Sequence, residues 1–470
     1  MTDPTTPLDP DAKLRAWPPM VRLARWIMRI FFRRVEVVGA ENLPDAPVMV
    51  VANHNNSLVD AALLMAYLDP VPRFLGKSTL WQIAILKPFL KWLAGIPVYR
   101  RQDPGVDPTK NSETFSRCHE VLAAGGSIAI FPEGTSHSEP ALVPLKTGVS
   151  RIVLQAEERF PGLGTQIVPV GLTFEDKDRF RSRALIHVGK PLDPAPEVDL
   201  YGQDPREAVT QLTDRVRTAL ESVTLNFPSW EEARLIQRAA EIHERPSAAL
   251  PAEQPLSRAF SVHQAFVRGY EDLRRCCPEE VDRLAASVRA YDDLLDDFRL
   301  QDEQVAAEYP VSGVIRFTLK SLALLLIRLP LALLGTAIHL VPFYFSSWVA
   351  RKRVESDDVL ATYKILASMI FYPLTWLVLA VVIGVVLGWP WGLALLVLSP
   401  VSGVMAMRYF ERRGHFLRQV RAFFLLHSGR RGIDELRALR QQVLHGVRDL
   451  VQVAESLPEV EAVGPNPSSV

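Results

Sequence analysis

The sequence predicts an α/β domain, its mostly parallel or mixed sheet covered by helices, then an α-helical connector and a C-terminal transmembrane helical hairpin. Three observations predict this. Across residues 46–235, short apolar runs alternate with amphipathic stretches. Residues 236–310 lose those runs and become charged and helix-patterned. Residues 365–407 then carry no charged side chain.

Length and composition set the frame. A chain of 470 residues accommodates two to four folding units. Its 53 basic and 53 acidic residues balance, which argues against a nucleic-acid partner. Cys118, Cys276 and Cys277 lack metal-site spacing and fit reduced thiols in a cytosolic compartment. No ligand cluster implies a metal or other cofactor.

Residues 1–18 are polar and Pro-rich, so they predict a disordered N-terminus rather than an export segment. Residues 19–45 predict a basic amphipathic helix on a membrane surface. Arg22, Arg25, Arg29, Arg33 and Arg34 are interleaved there with Val21, Leu23, Ile27, Ile30 and Phe31. The alternative is an ordinary helix packed on its own domain. The runs at 48–53, 72–77, 127–134, 166–174 and 184–192 read as strands. A Pro-containing linker falls at residues 246–255.

Residues 311–410 form the expected membrane region. The uncharged 365–407 stretch is about two spans long. Gly388-Trp389-Pro390-Trp391-Gly392 breaks it near the middle, as a hairpin tip at the far interface would. Arg351, Lys352, Arg353 and Lys364 precede it, and Arg408, Arg412 and Arg413 follow, so both ends read as cytoplasmic. The 319–345 stretch contains Arg328, Pro330, His339 and Pro342, and reads as interfacial or re-entrant. Residues 411–470 read as an amphipathic helix and a tail.

Four blocks carry chemistry. In Ala52-Asn-His-Asn-Asn-Ser-Leu-Val-Asp60, a histidine sits at a strand–helix junction with a carboxylate a few residues on. Such a pair suits general-base work. Ser57 and Asp60 also match a helix-capping pattern, and His54 alone would pass as a structural histidine. Arg100 and Arg101 follow the extended Ile96-Pro97-Val98 and suit an anion, although solvated arginines are common. Phe131-Pro-Glu-Gly-Thr135 places a carboxylate, a hydroxyl and backbone N–H groups in one turn, with Lys146 beyond, but a plain turn has the same letters. Pro169, in Ile167-Val-Pro-Val-Gly-Leu172, suits an edge strand or a bend beside a site; an ordinary core strand is the alternative.

Taken in order, these blocks resemble the glycerolipid acyltransferase family of lysophosphatidic acid and glycerol-3-phosphate acyltransferases. Five residues separate His54 from Asp60, where the family commonly has four. That longer spacing, Ile96-Pro97-Val98, residues 180–192 and residues 357–366 resemble its fungal-type glycerol-3-phosphate/dihydroxyacetone-phosphate branch. The resemblance implies His54 as base and Asp60 as its orienting partner. It implies that Arg100 or Arg101, with Glu133, Gly134, Thr135 and Lys146, holds a glycerophosphate acceptor, and that Pro169 shapes the acyl side. The expected activity is O-acyl transfer from acyl-CoA or acyl carrier protein to glycerol-3-phosphate or dihydroxyacetone phosphate. The alternatives are a lysophosphatidic acid acyltransferase and a catalytically idle membrane-binding module. The expected setting is a lipid bilayer, with the active site on the cytoplasmic side and, in a bacterium, at the inner membrane.

Overall fold

The computed structural model describes residues 18–82, 90, 95–99, 111–245, 248–249, 254–308, 311–353, 359–428 and 431–456. It divides into two compact units. One comprises residues 1–226, 255–257 and 346–368, the other residues 227–254, 258–345 and 369–470.

The first unit is built on seven strands: β1 (Arg34–Val38), β2 (Val48–Ala52), β3 (Arg73–Lys77), β4 (Ile96–Val98), β5 (Ser127–Ile130), β6 (Gln166–Phe174) and β7 (Arg183–Val188). Their order is β1-β7-β6-β2-β5-β3-β4. Five neighbouring pairs are parallel, and β6–β7 is antiparallel. The sheet is therefore mixed, as expected. All five residues of β2 are buried, which is why it reads as an unbroken apolar run. Val48, Val50 and Ala52 pack on one face with Leu63 and Leu64 of helix α2 (Leu58–Tyr67) and Met28 of helix α1 (Pro18–Phe31). Met49 and Val51 pack on the other, with Leu122, Ile152 and Leu212 from helices Asn111–Ala123, Gly148–Arg159 and Pro205–Glu221.

Three boundaries differ from the expectation. The 19–45 segment is not one helix: α1 ends at Phe31, and Arg34–Val38 enters the sheet beside β7. Arg181 closes α1, its backbone N–H donating to Phe31 O (2.7 Å) and its guanidinium to Arg29 O (3.0 Å) and Phe32 O (3.1 Å). The α1 helix buries Met20, Ala24, Met28 and Phe31, so it does pack on its own domain, while Leu23 and Trp26 stay exposed. At the other end, the α/β unit stops at Asn226 rather than residue 235. It also recruits residues 346–368: Ala361 and Ile365 join the α1–α2 side of the core, and Lys364 Nζ donates to Asp178 O (2.9 Å).

The second unit is helical. Residues 236–310 are more than a connector, because Ala239, Ile242, Val288, Tyr291 and Leu295 share a core with Ala422, Leu426, Leu436 and Val443. A buried ion pair, Arg440 Nε to Asp302 Oδ1 (2.8 Å), crosses that core, and the same Oδ1 accepts from the Tyr291 hydroxyl (2.8 Å). Among the described residues, three helices are long and apolar enough to cross a membrane, within Gly313–Lys352, Leu360–Leu387 and Trp389–Leu426. The last two join at Gly388, which adopts φ 101°. Residues 319–345 lie inside one unbroken helix, Val311–Arg353, that runs through Pro330 and Pro342; a re-entrant loop would interrupt it.

Candidate active site

The candidate residues gather at the carboxyl ends of β2 and β5, where ligands bind in open α/β sheets. Asn53 extends the β2–β6 ladder with its side chain: Nδ2 donates to Leu172 O (3.0 Å) and Oδ1 accepts from Leu172 N–H (2.7 Å). His54 is thereby presented from a rigid strand end. Its Nδ1 donates to Asp60 Oδ2 (2.9 Å). Its ring stacks on Phe131, with centroids 4.0 Å apart and planes 10° from parallel. Ring plane and tautomer are both fixed, Nε2 is left for a ligand, and the side chain keeps 15% of its exposure.

Asp60 lies in the first turn of α2 but does not close a capping box with Ser57, which makes no side-chain cap bond. Its Oδ2 instead also accepts from Asn56 N–H (2.7 Å). Between His54 and Asp60 the chain turns at Ser57, whose φ of 49° and ψ of −124° favour glycine. Burial pushes the Asp60 carboxyl above its ordinary range, and the bonds from His54 and Asn56 oppose that rise.

Glu133 is placed differently from the expectation. It is buried, and its two oxygens are occupied by the chain itself. Oε1 accepts from His54 N–H (2.7 Å), while Oε2 accepts from Val143 N–H (3.3 Å) and from His137 Nε2. It therefore braces the His54 loop, enclosed by the chain itself. Gly134 turns the chain at φ 77°, and the Lys146 stem lies over it: a Cβ added there would stand 3.2 Å from Lys146 Cγ. Thr135 and Lys146 are exposed beside that turn, open to a ligand. Arg100 and Arg101 lie outside the described residues.

Pro169 is buried in β6, an interior strand rather than an edge, in register with Val51 of β2. The sheet tolerates it because β7 ends at Val188 and Gly189 N–H donates to Pro169 O (2.8 Å), a contact that asks nothing of the missing proline N–H. Gly189 is needed there, since an added Cβ would stand 2.9 Å from Pro169 Cγ.

Sequence reasoning missed three residues at this site. Phe131 was visible only as part of its block. His137 stands four residues after Glu133, a spacing that signals a carboxylate–imidazole pair once the turn is known. Lys177 donates to Asn55 O (3.3 Å) and to Ser138 Oγ, and Asn56 Nδ2 donates to Lys177 O (3.1 Å), so β6 and its following turn hold the histidine loop. No sequence signal marks a contact over so long a separation.

A histidine at a strand end bonded to a carboxylate in the following helix, with exposed cationic and hydroxyl groups beside it, has the geometry of a general-base pair. Comparison with known proteins agrees. Residues 34–173 match the family described as Acyltransferase, and residues 235–460 match the Glycerol-3-phosphate acyltransferase 2 C-terminal domain. Glycerol-3-phosphate O-acyltransferase 2 of Saccharomyces cerevisiae is 28% identical over 58% of this chain and 38% of its own length. Glycerol-3-phosphate O-acyltransferase 1 of the same yeast is 28% identical over 57% of this chain and 37% of its own. A chloroplastic 1-acyl-sn-glycerol-3-phosphate acyltransferase of Brassica napus is 29% identical over 30% of this chain and 38% of its own length. The chain thus spans well under half the length of the yeast relatives it matches. Its two matched segments are thus those of an acyltransferase domain followed by a glycerol-3-phosphate acyltransferase 2 C-terminal domain.

Proposed function

We propose that this protein transfers a fatty acyl group from a thioester, acyl-CoA or acyl carrier protein, to a hydroxyl of glycerol-3-phosphate. The fixed His54–Asp60 pair, with Nε2 of His54 left for a ligand, carries the reading. His54 Nε2 takes the acceptor's hydroxyl proton as the oxygen attacks the thioester carbonyl. Asp60 stabilises the imidazolium that forms. The tetrahedral intermediate then breaks its C–S bond, and His54 returns the proton to the leaving thiolate. No acyl-enzyme is required, since a thioester is already activated. Lys146 and Thr135, with Arg100 or Arg101, supply the cations and hydroxyl for the acceptor's phosphate.

The match of residues 235–460 to a glycerol-3-phosphate acyltransferase domain favours glycerol-3-phosphate over a lysophospholipid. Lysophosphatidic acid is the second reading, supported by the Brassica relative. Purified protein supplied with labelled acyl-CoA and, in turn, glycerol-3-phosphate, dihydroxyacetone phosphate or lysophosphatidic acid separates them. Glycerol-3-phosphate is expected to give product, and His54→Ala to lower turnover by about 10³-fold or more. Full activity in His54→Ala would sink the mechanism.

The setting follows from the hairpin. Leu360–Leu387 and Trp389–Leu426 insert as an antiparallel pair with Trp389 and Trp391 at the far interface. Ala361, Lys364 and Ile365, at the start of the first hairpin helix, pack within the α/β unit. Arg351, Lys352, Lys364, Arg408, Arg412 and Arg413 flank the hairpin and support a cytoplasmic placement of its two ends.

A further inference from the structure

His54 is gripped by its backbone as well as its ring. Its N–H donates to Glu133 Oε1 at 2.7 Å. Its carbonyl accepts from His137 N–H at 3.1 Å. Those two grips come from residues four apart on one turn, and their side chains bond to each other, His137 Nε2 to Glu133 Oε2. Glu133 is fully enclosed, with its side chain at 0% exposure and that of His137 at 11%. An enclosed carboxylate with only backbone donors would be poorly compensated, because losing water costs an ionised group several kcal/mol (order of magnitude) unless it is paired. The imidazole of His137 is its one side-chain partner among the described contacts. Lys177 closes the arrangement from outside, bonding Asn55 O and Ser138 Oγ on either side of this turn.

We propose that His137 is a positioning residue for acyl transfer: it bonds and orients Glu133, and through that carboxylate and its own N–H it sets where His54 stands. Its imidazole faces Glu133 and accepts from Glu139 N–H through Nδ1 (3.1 Å), so both ring nitrogens are engaged within the turn. The role rests on the acyl-transfer reading above, but its geometric content does not. A base displaced by about 1 Å loses about 10²-fold in rate while substrate binding is largely kept. Removing His137 is therefore a kcat defect rather than a KM defect.

The test uses the full chain in detergent or vesicles, comparing wild type with His137→Ala, His137→Gln and Glu133→Gln. The expected result for His137→Ala is a kcat loss of about 10²-fold with the acceptor KM moved less than about threefold. His137→Gln, whose amide N–H reaches Glu133, recovers most of it. A parallel readout needs no substrate: the rate at which diethyl pyrocarbonate carbethoxylates His54, followed by mass spectrometry. That rate is expected to shift several-fold in His137→Ala and return toward wild type in His137→Gln. A large rise in KM with kcat kept would mean that His137 binds the acceptor, and overturns the proposal. An unchanged kcat and unchanged His54 reactivity overturn it as well. Should wild type acylate none of the three acceptors, the proposed function fails alone, and the His54 reactivity still decides the role of His137. If His137→Ala does not fold, Glu133→Gln and His137→Gln carry the same two readouts.

Discussion

Asp60 pays for its position in the core. Burial pushes its carboxyl above the ordinary value of 3.8, so the charged form is disfavoured in the folded protein. The sign follows directly: this group favours folding at pH below its raised value and costs stability as pH climbs through it. Asp60→Asn removes that cost while keeping an acceptor for the His54 ring and Asn56 N–H. We expect a higher Tm near neutral pH and a turnover about 10³- to 10⁴-fold lower, read by calorimetry and by steady-state kinetics. A lower Tm with unchanged turnover would make Asp60 a cap after all. His137 runs the other way, since its bond to Glu133 raises it above 6.5. Its ionic contribution is complete below about 6.5 and fades as pH rises through the raised value. Tm measured from about pH 6 to 9 should therefore fall more steeply in wild type than in His137→Gln. At this scale the sequence was informative about which residues meet, and silent about what each one faces. His54 and Asp60 were legible because a strand end and a helix start lie within one short block. Glu133 was misread because its letters are shared by a substrate ligand and a loop brace, and burial alone separates them.

The strands were largely legible as elements. Five apolar runs became β2, β3, β5, β6 and β7; β2 and β6, largely buried, match their runs closely, while β5 and β7 each end four residues before theirs. β1 was hidden, since Arg34-Val-Glu-Val-Val38 follows an amphipathic helix with only two residues between and inherits its charge pattern. The stop signal for α1 lies about 150 residues downstream, in Arg181. Arg181 adopts φ 67° and spends its guanidinium on the α1 carbonyls. Arg181→Ala is expected to cost about 1–3 kcal/mol, seen as a lower denaturant midpoint, because those carbonyls lose a charged donor. An unchanged midpoint would mean that water replaces the guanidinium at no cost. β6 shows how close packing follows from one residue: a Cβ on Gly171 would stand 1.7 Å from Val223 O. Gly171→Ala should therefore destabilise by about 3 kcal/mol, since the opposing atom is backbone and cannot rotate away.

In the molecule as a whole, composition gave away the hairpin and concealed the partition into units. Forty-three uncharged residues have few soluble explanations, so 365–407 was legible from counting alone. The sharing of residues between units was not, because Ala361 and Ile365 look like the beginning of the hairpin rather than the end of a core. The topology makes a direct prediction. A single cysteine placed at Gly388, at the tip, should be labelled by an impermeant maleimide only from the face opposite the active site. A cysteine at Arg412 should be labelled only from the same face as the site. Labelling of both from one side would contradict the hairpin.

The packing of Ala361 and Ile365 also bears on how a water-soluble catalytic fragment has to be cut. A truncation at residue 310 removes the lipid-facing helices, but it strips two apolar side chains from the α1–α2 layer and leaves a hole there. Uncovering that layer costs stability, since Ala361 is fully buried there and Ile365 half-buried. A fragment that rejoins residues 359–368 through a short linker keeps the layer closed, so the membrane anchor and the catalytic core have to be separated inside the helix that begins at Leu360, not in front of it.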